Sequence, residues 1–145
     1  MAMTNYLENK LLDHAFRGIN YTAPTVVYAA LLTNVPDDGT AGVEVSGGSY
    51  TRIAIVSNTS SWAGTQGAGS TTASTGTSGT ISNNTVVTFN TPTANWGTVV
   101  GVALYDAATG GNALIQGALS APVTVVSGSP APSFPASTFS YTIDN

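Results

Sequence analysis

The sequence predicts a mainly β protein, an antiparallel β-sandwich of jelly-roll type with one short N-terminal α-helix. Three observations carry this expectation. About eight short apolar or alternating runs are separated by clusters of Gly, Pro, Asn and Asp, which is the rhythm of hairpin-linked strands. Only one segment, at the N-terminus, sets its apolar residues at helical spacing. The chain has 145 residues and no cysteine, and a core of that size folds without disulfides or metal, so one domain over 1–145 is expected.

The elements follow in order. Thr4 can cap a helix over about residues 4–17, with Glu8 near its positive end, Arg17 in its last turn and Gly18 as a stop. Leu7, Leu11 and Ala15 form its apolar stripe, with Leu12 and Phe16 beside them. Pro24 opens a run from Thr25 to Thr33 that is apolar on both sides, as in a central strand covered on each face, and the helix is the expected cover for one of them. Turn clusters lie at Asn34 to Gly39 and Gly47-Gly48, with strands at Val43 to Val45 and Tyr50 to Val56. Further strands are read at Thr85 to Phe89 and Thr98 to Tyr105. A glycine-bearing turn over Asp106 to Asn112 leads into a returning arm, Ala113 to Leu119. Val123 to Ser127 is a short separate strand, and Gly128 to Pro135 an extended proline-rich crossing. In the last strand Phe139, Tyr141 and Ile143 face one way and Thr138, Ser140 and Thr142 the other.

Residues 57–82 consist almost wholly of Ser, Thr, Gly, Ala and Asn, with Trp62, Gln66 and Ile81 the exceptions. Such a segment builds no core of its own. The composition fits a mobile loop, or an extension ordered against a partner. Trp62 then either anchors in a neighbour's pocket or folds back onto its own sheet.

Charge narrows the function classes. Charged residues make up 7% of the chain, against about 25% in an average globular protein, and none lies between Ile53 and Tyr105. Three cations and a net charge of −4 argue against nucleic acid, where affinity comes from Lys and Arg on phosphates, and leave no polybasic patch for lipid. The longest fully apolar run, Val26 to Leu32, is seven residues, far short of the roughly 20 of a spanning helix. Apolar residues at 42% and a mean hydropathy of +0.17 speak against disorder of the whole chain. The N-terminus lacks the basic and apolar regions of a secretory signal.

No constellation for catalysis stands out. His14 is the single histidine, so a typical zinc site is excluded, and no G-x-S-x-G elbow accompanies the many serines. The carboxylates fall on the helix, in turns or at the C-terminus, not paired on strands as glycoside hydrolysis requires. Asp37-Asp38-Gly39 with Glu44 lacks the alternating spacing of an EF-hand loop and reads as a turn. Gly67-Ala68-Gly69 lacks the third glycine of a dinucleotide fingerprint, since position 72 is Thr72. A non-catalytic protein without cofactor or metal is expected.

What remains informative is the surface. Hydroxyls, amides and small apolar groups stand where a free domain carries about 25–35% charged residues. They desolvate cheaply and bond across an interface. The expectation is an assembly, symmetric and made with copies of itself or with a lattice beneath it. Leu7, Leu11 and Phe16 on the helix and Trp62, Gln66 and Ile81 in the low-complexity segment are the candidate assembly-interface residues.

Five segments also carry a resemblance: Thr4 to His14, Val27 to Thr33, Glu44 to Arg52, Asn95 to Val99 and Tyr105 to Asn112. In this order they resemble small virion proteins of tailed bacteriophages, often labelled tail-fibre proteins, apart from residues 57–82, where this chain is longer. The resemblance implies a virion location, on the capsid surface or the tail, after assembly in the host cytoplasm. No heptads or internal repeats of a fibre stalk are visible. The sequence reading therefore favours a capsid decoration or cement protein, a trimer seated on the major capsid protein. The alternative is a tail-fibre or tail-associated receptor-binding module, in which Trp62, Trp96 or a tyrosine stacks on host-surface sugars.

Overall fold

The computed structural model describes residues 1–34, 37, 40 and 42–143. Most of the turn read at Asn34 to Gly39, including Asp38 and Gly39 of the acidic cluster, lies outside the described residues. The protein is mainly β and antiparallel, with one helix among the described residues. Strands β1 (Ala2–Met3), β2 (Val26–Leu32), β3 (Ile53–Val56), β7 (Gly97–Tyr105) and β8 (Ala113–Val125) form the main sheet in the order β1-β8-β7-β2-β3. Two small sheets accompany it: β10 (Ser140–Thr142), β5 (Thr80–Asn83) and β4 (Trp62–Ala63) in that order, and β6 (Val87–Thr88) paired with β9 (Ser133–Phe134).

Helix α1 spans Asn5–Phe16 and is capped by Thr4, whose Oγ1 accepts from Leu7 N at 3.4 Å. The same hydroxyl donates to Ala113 O at 2.6 Å, so the cap also ties the helix to β8. At the other end Arg17 N and Ile19 N both donate to Asp13 O, with Gly18 at φ +68 making the left-handed turn that a side chain resists.

The central strand is apolar on both sides, as its composition predicts. Val27, Ala29 and Leu31 point into the large core, while Ala30 and Leu32 join Ala103 and Tyr105 on the opposite face. The large core is shared between the main sheet and the small ones, through Val87, Phe89 and Phe139. An aromatic row runs through it. Trp96 meets Tyr50 edge-on at 5.3 Å, Tyr50 stacks on Phe89 at 6.1 Å, and Phe134 joins Phe89 to Phe139. The helix covers this core incompletely: Tyr6 and Leu7 pack against its rim, yet no helix residue is buried.

Three local features differ from the sequence reading. Tyr50 to Arg52 do not extend β3, because Tyr50 turns inward and its hydroxyl accepts from Leu31 N at 2.9 Å. Val43 to Val45 contribute only a bridge between Glu44 and Leu32. The two arms read at 113–119 and 123–127 are one strand, β8, joined by an irregularity: Val99 pairs with Val123 and Gly101 with Ala118. Leu119 to Pro122 arc away from β7 there, which is where proline without an N–H is tolerated.

Residues 57–82 are mostly turns and irregular backbone, with strand only at 62–63 and 80–82, and they fold on themselves through side-chain hydrogen bonds. Trp62 and Ala63 form β4 against Asn83 and Ser82. Thr65 Oγ1 donates to Gly76 O at 3.2 Å and Ser78 Oγ to Thr65 O at 2.7 Å. Asn84 Nδ2 donates to Ser70 O at 3.0 Å. Side-chain amides and hydroxyls here supply the order that apolar packing supplies elsewhere.

Candidate functional site

The incomplete cover of the helix leaves a groove. Leu7 and Leu11 of α1 form one wall, Trp62 and Ile81 of the small sheet the other, and Leu104 and Leu114 belong to the floor. Tyr141 of the last strand and Ile143 just after it close one end. Its volume is about 380 Å³, and among the described residues no side chain charged at neutral pH lines it. Leu11 is 39%, Ile81 37% and Ile143 66% exposed, so the rim is apolar and wet. Burial together with the charge of Glu8 raises the Tyr141 phenol above its ordinary value.

Of the six interface candidates, the structure brings Leu7, Leu11, Trp62 and Ile81 together around this groove. Phe16 stands apart at the C-terminal end of the helix, 82% exposed, beside exposed Leu12 and Ile19. Gln66 turns into its own segment: Nε2 donates to Thr72 Oγ1 and Ala73 O, both at 3.0 Å, and Oε1 accepts from Thr75 N. Ile143, Tyr141 and Leu114 were not singled out from sequence. For Ile143 the signal existed, since it continues the alternation of Phe139 and Tyr141.

Trp62, Ser57 and Ile81 are shared between the groove and a second concavity of about 300 Å³. Ser57, Asn58 and Thr59 line this cleft on one side, Thr72, Ala73 and Ser74 on the other. Asn58 Oδ1 accepts from Ser60 N at 3.0 Å and Ser61 N at 2.8 Å, which fixes its amide. Trp96, by contrast, is 5% exposed and donates from Nε1 to Gly48 O at 3.0 Å, a core residue. Gly48 is required there, since a Cβ would lie 2.8 Å from that nitrogen.

A charged cluster invisible in the sequence pattern lies on the opposite face of the main sheet. Arg52 grips Glu44 in a fork, Nε to Oε1 at 2.9 Å and Nη2 to Oε2 at 2.7 Å. Its Nη1 donates to Ala107 O and Gly110 O, and its guanidinium rests on the Tyr105 ring. Burial alone would lower the Arg52 pKa, but hydrogen bonding and charge from Glu44, with Tyr105 and Tyr50, raise it above its ordinary value. With its bonds spent inside the fold, Arg52 is a structural clamp. His14 is likewise local, its Nδ1 accepting from Tyr21 N at 3.2 Å.

Among the described residues no group of three or more His, Cys, Asp or Glu is placed to hold a metal ion, and no helix is long and apolar enough to cross a membrane. The described residues thus form a mainly antiparallel β protein with an apolar groove beside its helix. The family model described as Podophage GP4 fiber I protein gp80 matches residues 2–142. The chain belongs to this family of phage fibre proteins. No curated protein matches it.

Proposed function

We propose that the protein is a non-catalytic structural subunit of the virion, packed against neighbouring chains through the groove beside α1, and that it serves in a fibre. The groove carries this reading. Its apolar rim is displayed by residues such as Ile143 and Leu11, and covering it removes that surface from water at no cost in desolvated charge. Exposed Leu12, Phe16 and Ile19 offer a second patch for the same purpose. The family's description supports the fibre. Self-association belongs to this reading, with a trimer as the expected state.

Decoration of the head is the second reading. The observation in its favour is the lack of heptads or repeats in the sequence, with one short helix among the described residues. Trimers would then sit where capsomers meet, on the major capsid protein. Cryo-electron microscopy with immuno-gold labelling of intact particles separates the two: label on fibres supports the first reading, label over the head lattice the second. Particles without label, together with a protein that stays monomeric at high concentration, would overturn both.

A further inference from the structure

We propose that the cleft between residues 57–62 and 72–74 binds a neutral saccharide, with Trp62 as its aromatic platform. The inference goes beyond the structural role above and does not depend on where in the virion the chain sits. A sugar ring shows an apolar C–H face and a periphery of hydroxyls. A site for it needs aromatic surface edged by groups that both donate and accept.

The cleft has both. Trp62 is half-buried and held in place: its residue begins β4 opposite Asn83, and its backbone N–H donates to Asn58 O at 3.1 Å. Around it, the Ser57 and Thr59 hydroxyls and Asn58 Nδ2 make no hydrogen bond among the described residues. Thr72 Oγ1 and Ser74 Oγ accept from Gln66 Nε2 and Thr65 N, which leaves each O–H free to donate outward. The frame is set before a ligand arrives, because Asn58 Oδ1 and Gln66 are already fixed by backbone bonds, so little ordering is left to oppose binding.

The same residues restrict the ligand class. No charged residue occurs from Ile53 to Tyr105, so a sialylated or sulfated glycan finds no cation here to offset its desolvation. The apolar groove on the other side of Trp62 has no comparable polar rim, and Trp96 is sealed in the core.

The test uses the purified full chain on an array of neutral hexose and deoxyhexose oligosaccharides, with sialylated and sulfated glycans alongside. Neutral members that bind are then titrated by tryptophan fluorescence. The expected result is retention of at least one neutral glycan, with affinity reduced about tenfold or more by Trp62→Ala. Thr59→Glu, a change at an exposed position checked for fold by near-ultraviolet circular dichroism, is expected to reduce it similarly. No retained neutral glycan at millimolar concentration, binding undiminished in both variants, or retention of charged glycans alone would overturn the proposal. Such a failure leaves the fibre and head readings standing, since microscopy of particles decides those.

Discussion

The guanidinium carbon of Arg52 lies 3.5 Å from the centre of the Tyr105 ring while the same group holds Glu44 in a two-bond fork. One side chain thereby straps the segment before β3 to the end of β7 and to the turn after it. The Arg52 side chain is 6% exposed and that of Glu44 25%, so the pair is only weakly screened by solvent. Arg52→Ala leaves the Glu44 carboxylate with only the Tyr50 hydroxyl and unpairs two turn carbonyls, and is expected to cost about 3 kcal/mol in urea denaturation. Arg52→Lys should recover only a minor part of that, because an ammonium supplies no fork and stacks poorly. A loss within 0.5 kcal/mol for Arg52→Ala, the size of an ordinary surface change, contradicts the clamp.

Alkaline pH should loosen the fold. Burial raises the Tyr50 phenol far above its ordinary 10.0, with Glu44 adding to the rise and the Leu31 N–H and Arg52 opposing it. Burial likewise raises Tyr105. Above pH 10.0 the folded state therefore holds more protons than the unfolded one, and stability falls as pH rises. Melting temperatures should be flat up to about that pH and decline beyond it. Tyr50→Phe should flatten the decline while costing about 1–2 kcal/mol at neutrality, through the partners lost by Leu31 N and Glu44.

Asn83 is fully buried and joins three segments. Its Nδ2 donates to Thr85 O at 2.8 Å and Pro135 O at 3.0 Å, and its Oδ1 accepts from Phe139 N at 2.8 Å. Asn83→Ala leaves Thr85 O and Phe139 N unpaired, while Pro135 O keeps the Thr138 hydroxyl, and should cost about 3 kcal/mol. Asn83→Asp should fare no better, since a buried carboxylate cannot donate to two carbonyls. Thermal unfolding of the two variants checks both statements.

Gln66 is a staple for residues 72–75. Gln66→Ala should raise amide hydrogen exchange at Thr75 and Gly76 while leaving β7 and β8 protected. Unchanged exchange at those two amides would mean that the staple is not needed.

Phe16 touches none of these networks and is 82% exposed. Phe16→Asp should therefore leave the melting temperature of the isolated chain almost unchanged. Analytical ultracentrifugation should show weaker self-association if this patch is a contact between copies.

What could be read in advance was local or periodic. Thr4, Glu8 and Gly18 mark the helix because a cap, a first-turn acid and a left-handed stop act within one turn of chain. The two-sided apolar run of β2 is a continuous local signal, and the alternation through Phe139, Tyr141 and Ile143 is a repeat of period two. What could not be read depends on partners distant in sequence. Tyr50 leaves its strand pattern for a bond to Leu31. Arg52 meets Ala107 and Gly110 across more than fifty residues. The order within 57–82 comes from amides such as Gln66 and Asn84 reaching backbone carbonyls, and composition alone cannot distinguish a Ser/Thr/Gly segment so stapled from a mobile one. Of the groove, the helix side was anticipated, whereas its closed end at Ile143 depends on β10 pairing with β5.

The stapling of 57–82 by a few side chains divides its positions into two kinds. Asn58, Gln66, Ser70 and Ser74 hold the backbone, whereas Ala68, Thr71, Thr75 and Thr77 are exposed and their side chains bind nothing among the described residues. Substitutions at the second set can change the exposed surface of the segment while the side chains that hold its backbone stay in place. Adaptation and foldability are decoupled within a single stretch of twenty-six residues.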